Sequence, residues 1–305
     1  MAISRSQLVK ELEPGLNALF GLEYNRYENQ HAEIFVTETS DRAFEEEVML
    51  SGFASAPTKQ EGAGVVFDTA GETFTARYNH ETIALAFSIT EEAIEDNLYD
   101  RLAARYTRAL ARSMSNTKQV KAANVLNQAQ FTAVTGGDGV PLISNAHPLA
   151  TGGTFSNVLA TAADLNETSL EQSLIDISSF VDERGLKIAS QGMKMIIPKE
   201  LQFTAERLMK TPQRVGTADN DINAIASMGM VPEGYSVNNF LTDTDSYYLM
   251  TDVPNGMKHF VRSPIKTAIE GDFDTGNVRF KARERYSFGF SDPRAIFGNG
   301  NLPTS

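Results

Sequence analysis

The chain has 305 residues, of which 41% are hydrophobic and 22% are charged, as in a globular protein with a sizeable core. With 27 Lys and Arg residues against 39 Asp and Glu residues, its formal net charge of −12 argues against a protein that functions by binding nucleic-acid backbones. The absence of cysteine excludes disulfides, thiolate metal sites and a cysteine nucleophile. Since neither a run of about 18 apolar residues nor a signal peptide occurs, we predict a protein made in a cytoplasm that does not span a membrane.

Residues 1–43 are predicted to form an arm that lies on another surface. Apolar residues recur close to helical spacing over residues 6–20, although Pro14 and Gly15 interrupt the pattern. The following residues are polar and poorly periodic, apart from a short strand candidate at residues 34–36. Neither segment can bury much apolar surface by itself, so the arm must pack against something else.

Residues 44–89 are predicted to form two long β limbs joined by glycine-bearing turns. On the return limb Phe74, Ala76 and Tyr78 alternate with polar residues, as in a strand with one covered face. Over residues 83–89 the apolar positions change parity, which indicates a bulge or the point where the limb enters the core. Because an isolated two-stranded ribbon is marginally stable in water, we expect this extended hairpin to lean on another surface.

A very long helix is predicted from Thr90 to about Asn127, because no Gly or Pro intervenes and apolar residues recur every three or four positions. At ~1.5 Å per residue it would be up to ~57 Å long. Acidic residues fill its first third and basic residues fill the remainder. The basic residues repeat one turn apart with few acids between them. We therefore expect them to pair with carboxylates on another segment or another chain, or to form a solvated face.

The second half of the chain is predicted to be α+β, after glycine-rich loops over residues 131–165. Helices are predicted over residues 167–184, 200–210 and 221–228, and short strands over residues 193–197, 235–241 and 247–251. A strand over residues 265–270 and a turn lead to the clearest strand, residues 278–290, in which apolar and basic side chains alternate. Glu284 interrupts the apolar face, which predicts a bulge or a carboxylate paired with a base.

No catalytic, metal or cofactor motif stands out in the sequence. The four histidines lie in four segments, and none has a second ligand at metal-binding spacing within a helix. The glycine clusters lack the patterns of dinucleotide and phosphate loops, and the G-x-S-x-G motif is absent. We predict that His147 is a hydrogen-bonded loop residue, and that the protein is not an enzyme and needs no cofactor. A cytosolic hydrolase or transferase that uses residues 135–153 and His147 is the alternative from another functional class.

Two basic faces, over residues 101–121 and 279–285, are the candidates for nucleic-acid contact. Both are predicted as regular secondary structure without interleaved exposed aromatic residues, so specific readout is not expected. Salt bridges between subunits are the favoured role of these bases, and non-specific contact with packaged double-stranded DNA is the alternative.

The order of these elements, together with four short motifs, resembles the major capsid proteins of tailed double-stranded DNA phages, which share the Hong Kong phage-type fold. The most specific likeness is to Mu-like major head subunits, and it extends from about residue 44 to residue 298. The motifs are Glu61-Gly62-Ala63-Gly64-Val65 through Arg77-Tyr78 to His80-Glu81-Thr82 in the ribbon, Phe87 to Tyr99 at the start of the long helix, Asn145-Ala146-His147-Pro148 with Gly152-Gly153 after it, and Arg283 to Arg294 in the closing strand.

The resemblance implies an α+β tailed-phage major capsid fold. This fold would comprise an N-terminal arm (1–43), an extended β-hairpin loop (44–89), a peripheral domain with the long helix as its spine (90–154 and 262–290) and an axial α+β domain (155–261 and 291–305). The resemblance also implies a structural protein of the virion that self-assembles, in the bacterial host cytoplasm, into pentamers and hexamers of an icosahedral head around double-stranded DNA. An encapsulin-type nanocompartment shell is the nearest alternative.

The partners implied by the resemblance are further copies of the chain, a scaffolding protein, a portal, and a cement or decoration protein. Because only a short arm precedes the ribbon, we expect the scaffold to be a separate protein. Some relatives join a loop lysine to an asparagine of a neighbouring chain, and we do not expect such a bond between Lys59 and Asn277. The candidates for contacts between subunits are Glu45, Glu46, Glu47, Lys59, Glu61, Arg77, Arg101, Arg105, Arg108, Arg112, Asn277, Arg279, Arg283 and Arg285.

Overall fold

A computed structural model of the chain describes residues 5–90, 92, 99–214, 221–272 and 276–300. Side chains within this part are described from residue 15 onward, except at residues 99–102. Most of the predicted first turns of the long helix, and the centre of the turn after residue 272, therefore lie outside the described residues.

Helices and strands follow the predicted α+β order. The helices are α1 (Arg5–Tyr24), α2 (Tyr99–Asn127), α3 (Glu167–Ser178), α4 (Gln202–Lys210) and α5 (Ala224–Met228), with single 3-10 turns at Gln30–Glu33, Lys199–Leu201 and Pro293–Ala295. The strands are β1 (Val36–Thr39), β2 (Phe44–Leu50), β3 (Glu72–Asn79), β4 (Glu81–Ile89), β5 (His147–Pro148), β6 (Thr154–Phe155), β7 (Gly192–Ile197), β8 (Tyr235–Val237), β9 (Tyr248–Thr251), β10 (Met257–Gly271), β11 (Val278–Phe290) and β12 (Ile296–Gly298).

The first sheet has the strand order β1-β10-β11-β4, with β1 parallel to β10 and the other pairs antiparallel. One face of this sheet packs against α1 and α2. Phe20 of α1, Met114 of α2 and Phe280 of β11 meet there and are at most 3% exposed. Since successive strand residues face opposite sides, the bases that alternate with the apolar residues of β11 lie on the face away from the helices.

The arm packs on its own chain. Helix α1 runs through Pro14 and Gly15, so the interruption predicted at these residues was wrong. Strand β1 adds a parallel strand to β10, and Ile34 and Phe35 just before it are buried against Leu126 of α2. The surface that the arm needs is therefore supplied by the first sheet and by α2.

The ribbon is shorter than the predicted residues 44–89. Strands β2 and β3 pair with each other, and the chain between them, residues 51–71, has no strand or helix. Strand β4 instead pairs along its whole length with β11. The predicted change of parity falls where the chain leaves the ribbon and joins the first sheet, because Ile83 and Phe87 of β4 pack against the helix layer of that sheet. The return limb enters the core at this point.

The second sheet has the order β12-β9-β7-β8 and packs against α3, α4 and α5. Its core is fully buried: Leu170, Met195, Tyr247 and Phe297 are each 0% exposed. Strand β12 brings the end of the described chain back beside β9. Helix α3 ends at Ser178 rather than at residue 184, because the chain after it turns to bury Phe180 in this core.

The two sheets are linked through β10 and β11. The predicted division of the chain at residue 262 falls inside β10, at the point where its pairing with β11 shifts register between Val261 and Lys266. The predicted domain boundaries stay a prediction. The predicted strand over residues 278–290 and the end of the long helix at Asn127 are confirmed.

Candidate assembly surfaces

The acidic strand β2 meets a base within its own ribbon. Glu46 lies opposite Arg77 in the register of β2 and β3, and Arg77 Nη1 is 3.7 Å from Glu46 Oε1. The Arg77 guanidinium also lies 3.9 Å from the centre of the Phe44 ring. Because both charged side chains are about half exposed, the ion pair contributes at most about 1 kcal/mol to stability. Both groups stay accessible to a neighbouring molecule.

Glu45 and Glu47 are engaged with the body of the chain. Glu45 accepts a hydrogen bond from Ser40 Oγ at 2.7 Å, and a Glu47 oxygen lies 3.4 Å from Lys258 Nζ. Burial by itself would lower the pKa of Lys258, but the hydrogen bond to Glu38 and the charges of Glu47 and Glu38 outweigh burial and raise it. These carboxylates therefore fix the start of the ribbon on the first sheet.

The loop between β2 and β3 exposes a cluster of apolar side chains. Phe53, Val65, Val66 and Phe67 are exposed by 61%, 71%, 69% and 94%. Sequence reasoning predicted the ribbon but missed this cluster. Its signal was a run of three consecutive apolar residues between two glycine-bearing turns, where a loop is normally polar.

The same loop is tied to the body of the chain near its end. Arg184 Nη2 donates a hydrogen bond to the Thr69 carbonyl at 2.5 Å and lies 3.9 Å from an Asp68 oxygen. The candidates Lys59 and Glu61 are exposed farther along the loop, and neither makes an ion pair with a described residue. The tie holds the base of the loop and leaves its tip free.

The candidate arginines of α2 differ in their surroundings. Arg112 Nη2 is 3.1 Å from Glu23 Oε1 of α1, so it pairs with another segment of its own chain. The hydrogen bond from Arg112 is the largest of the effects that lower the pKa of Glu23. Arg105 and Arg108 are exposed and have no carboxylate partner among the described residues. The side chain of Arg101 lies outside the described residues.

Glu284 is buried and paired, as its interruption of the apolar face predicted. Lys118 Nζ of α2 lies 3.4 Å from Glu284 Oε2, and the Tyr24 hydroxyl donates to the same oxygen at 3.2 Å. Burial raises the pKa of Glu284, and the Lys118 charge and the Tyr24 hydrogen bond offset only part of that rise. The prediction of a carboxylate paired with a base is confirmed. The pair joins the arm, the long helix and the first sheet.

The outer face of the first sheet carries a row of bases. Arg279 pairs with Asp272 at 2.5 Å, whereas Lys281 and Arg283 are exposed without an ion pair to any described residue. In the register of the sheet Arg283 lies opposite Lys266 of β10, which adds to the positive charge. On the other side β11 is flanked by β4, whose outward residues are small and uncharged. The part of this face around Lys266, Lys281 and Arg283 is therefore positively charged.

The last two candidates are Arg285, inside β11, and Asn277, directly before it. Arg285 is half-buried near His80, and its Nε has no hydrogen-bond partner among the described residues. Asn277 closes the hairpin between β10 and β11, where its carbonyl accepts a hydrogen bond from the Asp272 N–H at 2.8 Å. Neither observation tests a contact between subunits, so these roles stay predictions.

His147 is hydrogen-bonded, as predicted, but it lies in the two-residue strand β5 and not in a loop. Its Nδ1 lies 2.6 Å from Asp138 Oδ2, and its ring stacks on Phe155 with 4.8 Å between the ring centres. The side chain is fully buried, and its Nε2 has no partner in the described part of the chain. A histidine with no hydroxyl or thiol at its second nitrogen lacks the arrangement of an activated nucleophile. The described residues also contain no group of three metal-ligating side chains, and none of their helices could cross a bilayer.

Comparison with known families identifies the class of protein. The sequence model of a family described as phage capsid protein matches residues 72–299. Because this match spans most of the chain, the chain belongs to the phage capsid protein family. It is a major capsid protein, and its place is the virion. No curated protein matches its sequence.

Solved structures of capsids share the fold. A virus-like particle from Pyrococcus furiosus is 11% identical with a TM-score of 0.52, over 94% of this chain and 98% of that one. The capsid of an empty GTA particle is 10% identical with a TM-score of 0.53, over 88% of each chain. The procapsid of bacteriophage JBD30 is 13% identical with a TM-score of 0.53, over 99% of this chain and 77% of that one. The tailed-phage major capsid fold is thus confirmed, and the finer likeness to Mu-like subunits stays a prediction.

Proposed function

We propose that this capsid protein is the repeating subunit of a closed shell, in which copies form the pentamers and hexamers of an icosahedral head around double-stranded DNA. The family match over residues 72–299 is the observation that carries the proposal. The likeness in fold to the capsids and procapsid described above supports it. On this proposal the chain has a structural role and no catalytic one, in keeping with the sealed surroundings of His147.

The apolar cluster of the ribbon loop supports assembly. Soluble monomers rarely expose contiguous apolar patches, and covering one gains about 25 cal/mol for each Å² removed from water. Phe67 is 94% exposed beside two further exposed apolar residues, Val65 and Val66, and the described part of its own chain leaves it uncovered. A neighbouring copy would provide that cover.

The bases without an ion pair to a described residue support the same proposal on electrostatic grounds. Arg105 and Arg108 lie on the helix layer of the first sheet, whereas Lys281 and Arg283 lie on its opposite face. The chain as a whole has a net charge of −12, so neighbouring copies bring carboxylates in excess. We propose that one basic face meets such carboxylates and that the other meets the packaged DNA without sequence preference.

In the proposed arrangement each of the two sheets belongs to a different domain. The first sheet with α1 and α2 would form the peripheral domain, the second sheet with α3 to α5 the axial domain, and the ribbon the extended loop. A separate scaffolding protein, a portal and a cement protein are the further partners that we propose. An encapsulin-type shell is the second candidate, and the matched family, which is a phage capsid family, favours the phage head over it.

Electron microscopy of the purified full chain tests the proposal. We expect closed polyhedral particles for the wild type, none for Phe67→Asp, and normal particles for Phe67→Leu, which keeps the apolar surface. Nuclease-protected double-stranded DNA inside particles from the producing cell would support the phage head, and an enclosed enzyme without DNA would support the encapsulin alternative. A monomer that stays dispersed at every concentration and salt would contradict the proposal.

A further inference from the structure

Strand β4 forms an open edge of the first sheet. One of its sides pairs with β11 over the whole of Glu81–Ile89, and no described strand pairs with the other side. Every second residue of an edge strand directs its N–H and C=O groups away from the sheet, where they can pair with another chain. The edge is nine residues long. It is long enough to take a complete partner strand.

This edge lacks the devices that normally prevent pairing. Edge strands are usually protected by lysines, prolines or bulges, but residues 82–89 contain no charged residue, no proline and no glycine. Leu85 lies on the same side of the strand as Ile83 and Phe87, which pack against the helix layer, yet it is 46% exposed. An apolar side chain at the rim of a buried layer is what a partner strand would cover.

Residues 82–88 of the edge are complementary to themselves. Counting outward from Leu85 in both directions, Ala84 corresponds to Ala86, Ile83 to Phe87 and Thr82 to Ser88. In an antiparallel pair of two identical strands centred on Leu85, each of these residues would lie opposite its counterpart. Apolar pairs would then face the helix layers, followed on each side by a hydroxyl pair, and Glu81 would lie opposite Ile89 at each end of the strand.

We propose that the β4 strands of two copies pair antiparallel about a two-fold axis at Leu85, so that the two first sheets become one continuous sheet. The proposal deepens the proposed self-assembly and rests on it. A two-fold contact of this kind uses the same surface on both copies, so it is complete with two copies. The occupant of the edge is thus a second copy of this chain.

Electrostatics permits this contact at β4 and disfavours it at β2. The bases of β11 would be three strand spacings from those of the second copy, about 14 Å at ~4.8 Å per spacing. That exceeds the screening length of about 10 Å in 0.1 M salt, so their repulsion is weak. Self-pairing through β2 would instead bring Glu45, Glu46 and Glu47 of two copies together.

A single engineered cysteine tests the proposal, because the natural chain contains none. Leu85→Cys would place the two thiols directly opposite each other, within the Cα separation of about 4.4–6.8 Å that a disulfide needs. The matched control is Ser88→Cys, exposed on the same strand. In the proposed register its two copies are six residues apart along the strands, about 20 Å at ~3.4 Å per residue. We expect mild oxidation of assembled particles to link most Leu85→Cys subunits as dimers and few Ser88→Cys subunits.

Replacing Leu85 by residues of opposite charge provides a second test that does not depend on oxidation. Leu85→Glu and Leu85→Lys each place two like charges on the axis, so each variant alone should assemble at least tenfold less than wild type. An equal mixture should recover assembly, and the recovery shows that both variants fold. If Leu85→Cys forms normal particles but its thiols stay reduced, or if the charge variants assemble normally alone, the pairing is overturned. The proposed shell function is not affected by either result. Efficient Leu85→Cys dimers from a chain that forms no particles would support the pairing and count against the proposed function.

Discussion

The second sheet and the ribbon loop differ in what their own chain provides. In the second sheet, Met195, Tyr247 and Phe297 are completely buried by residues of the same chain. In the ribbon loop, Phe53 and Phe67 have equally apolar side chains but lie mostly in solvent. Hydrophobicity alone does not separate these regions, since both carry aromatic residues. The difference is that the first region completes a core by itself, whereas the second requires a surface from another molecule.

The largest expected effect is on the free energy of unfolding, when one phenylalanine in each of the two regions is replaced by alanine. Phe297→Ala should lower the free energy of unfolding of the unassembled chain by about 3–5 kcal/mol, because it leaves a cavity in a fully buried site. Phe67→Ala should change it by less than about 0.5 kcal/mol, since its side chain is already in solvent. Urea unfolding followed by circular dichroism measures both values. Equal losses would remove the distinction between the regions.

The next effect is on stability at acid pH, because two buried histidines hold the arm on the first sheet. His31 and His259 lie with 5.3 Å between their ring centres. Burial and then the charge of Lys118 lower the pKa of His31 to about 4 and that of His259 to about 3. The unfolded chain takes up these protons near pH 6.5 while the folded chain does not, so each histidine makes stability fall as the pH drops below 6.5.

His259→Phe should therefore reduce the loss of stability on acidification. Each histidine contributes up to about 1.4 kcal/mol per pH unit between pH 6.5 and 5, and Phe retains the stacking on Phe288. Unfolding free energies at pH 6.5, 5.75 and 5.0 measure the slope for wild type and variant. An unchanged slope would show that this histidine does not remain neutral in the folded chain. The ribbon loop, which has no histidine, should keep its exposure over the same range.

An effect of similar size is expected where the ribbon crosses the body of the chain. A Cβ on Gly137 would lie 2.6 Å from the backbone C and O atoms of Thr75 in β3, so Gly137→Ala forces the ribbon or the loop to move. We expect a loss of about 1–3 kcal/mol and faster hydrogen exchange in β3. Gly64→Ala is the matched control, because nothing lies within 4 Å of its added Cβ. Slow exchange in β3 of the Gly137 variant would mean that the crossing does not hold the ribbon.

The smallest effect is expected at the ion pair inside the ribbon. Glu46→Gln removes the charge opposite Arg77. Because both side chains are about half exposed, the free energy of unfolding should change by less than about 1 kcal/mol. If assembly nevertheless fails in this variant, Glu46 makes its main contact with another copy. If neither stability nor assembly changes, Glu46 is not a contact between subunits.

Periodicity predicted the elements better than their partners. The long helix to Asn127 and the strand over residues 278–290 follow from spacing along the chain, which is a local property. Glu284 also could be predicted to need a base, because a carboxylate on an apolar face must be compensated. Its partner Lys118 could not be predicted, since the two lie 166 positions apart and only the packing of α2 on the sheet brings them together.

The ribbon illustrates what local patterns leave out. Strands β3 and β4 follow each other with one residue between them, so their sequences resemble two parts of one limb. The change of parity at residues 83–89 did indicate that the limb enters the core, but it did not identify β11 as the partner. The candidate contacts had the same limitation: Arg112 and Arg105 look alike in sequence, but Arg112 pairs with Glu23, whereas Arg105 has no carboxylate partner among the described residues.

Hydrogen exchange of the dilute chain and of assembled particles, compared segment by segment, tests the central claim most directly. We predict that β7, residues 192–197, is protected equally in both states, because the chain buries it unaided. Residues 51–71 should exchange within seconds in the dilute chain and become protected in particles. Strong protection of residues 51–71 in the dilute, monomeric chain would contradict the claim that this loop needs a neighbouring copy.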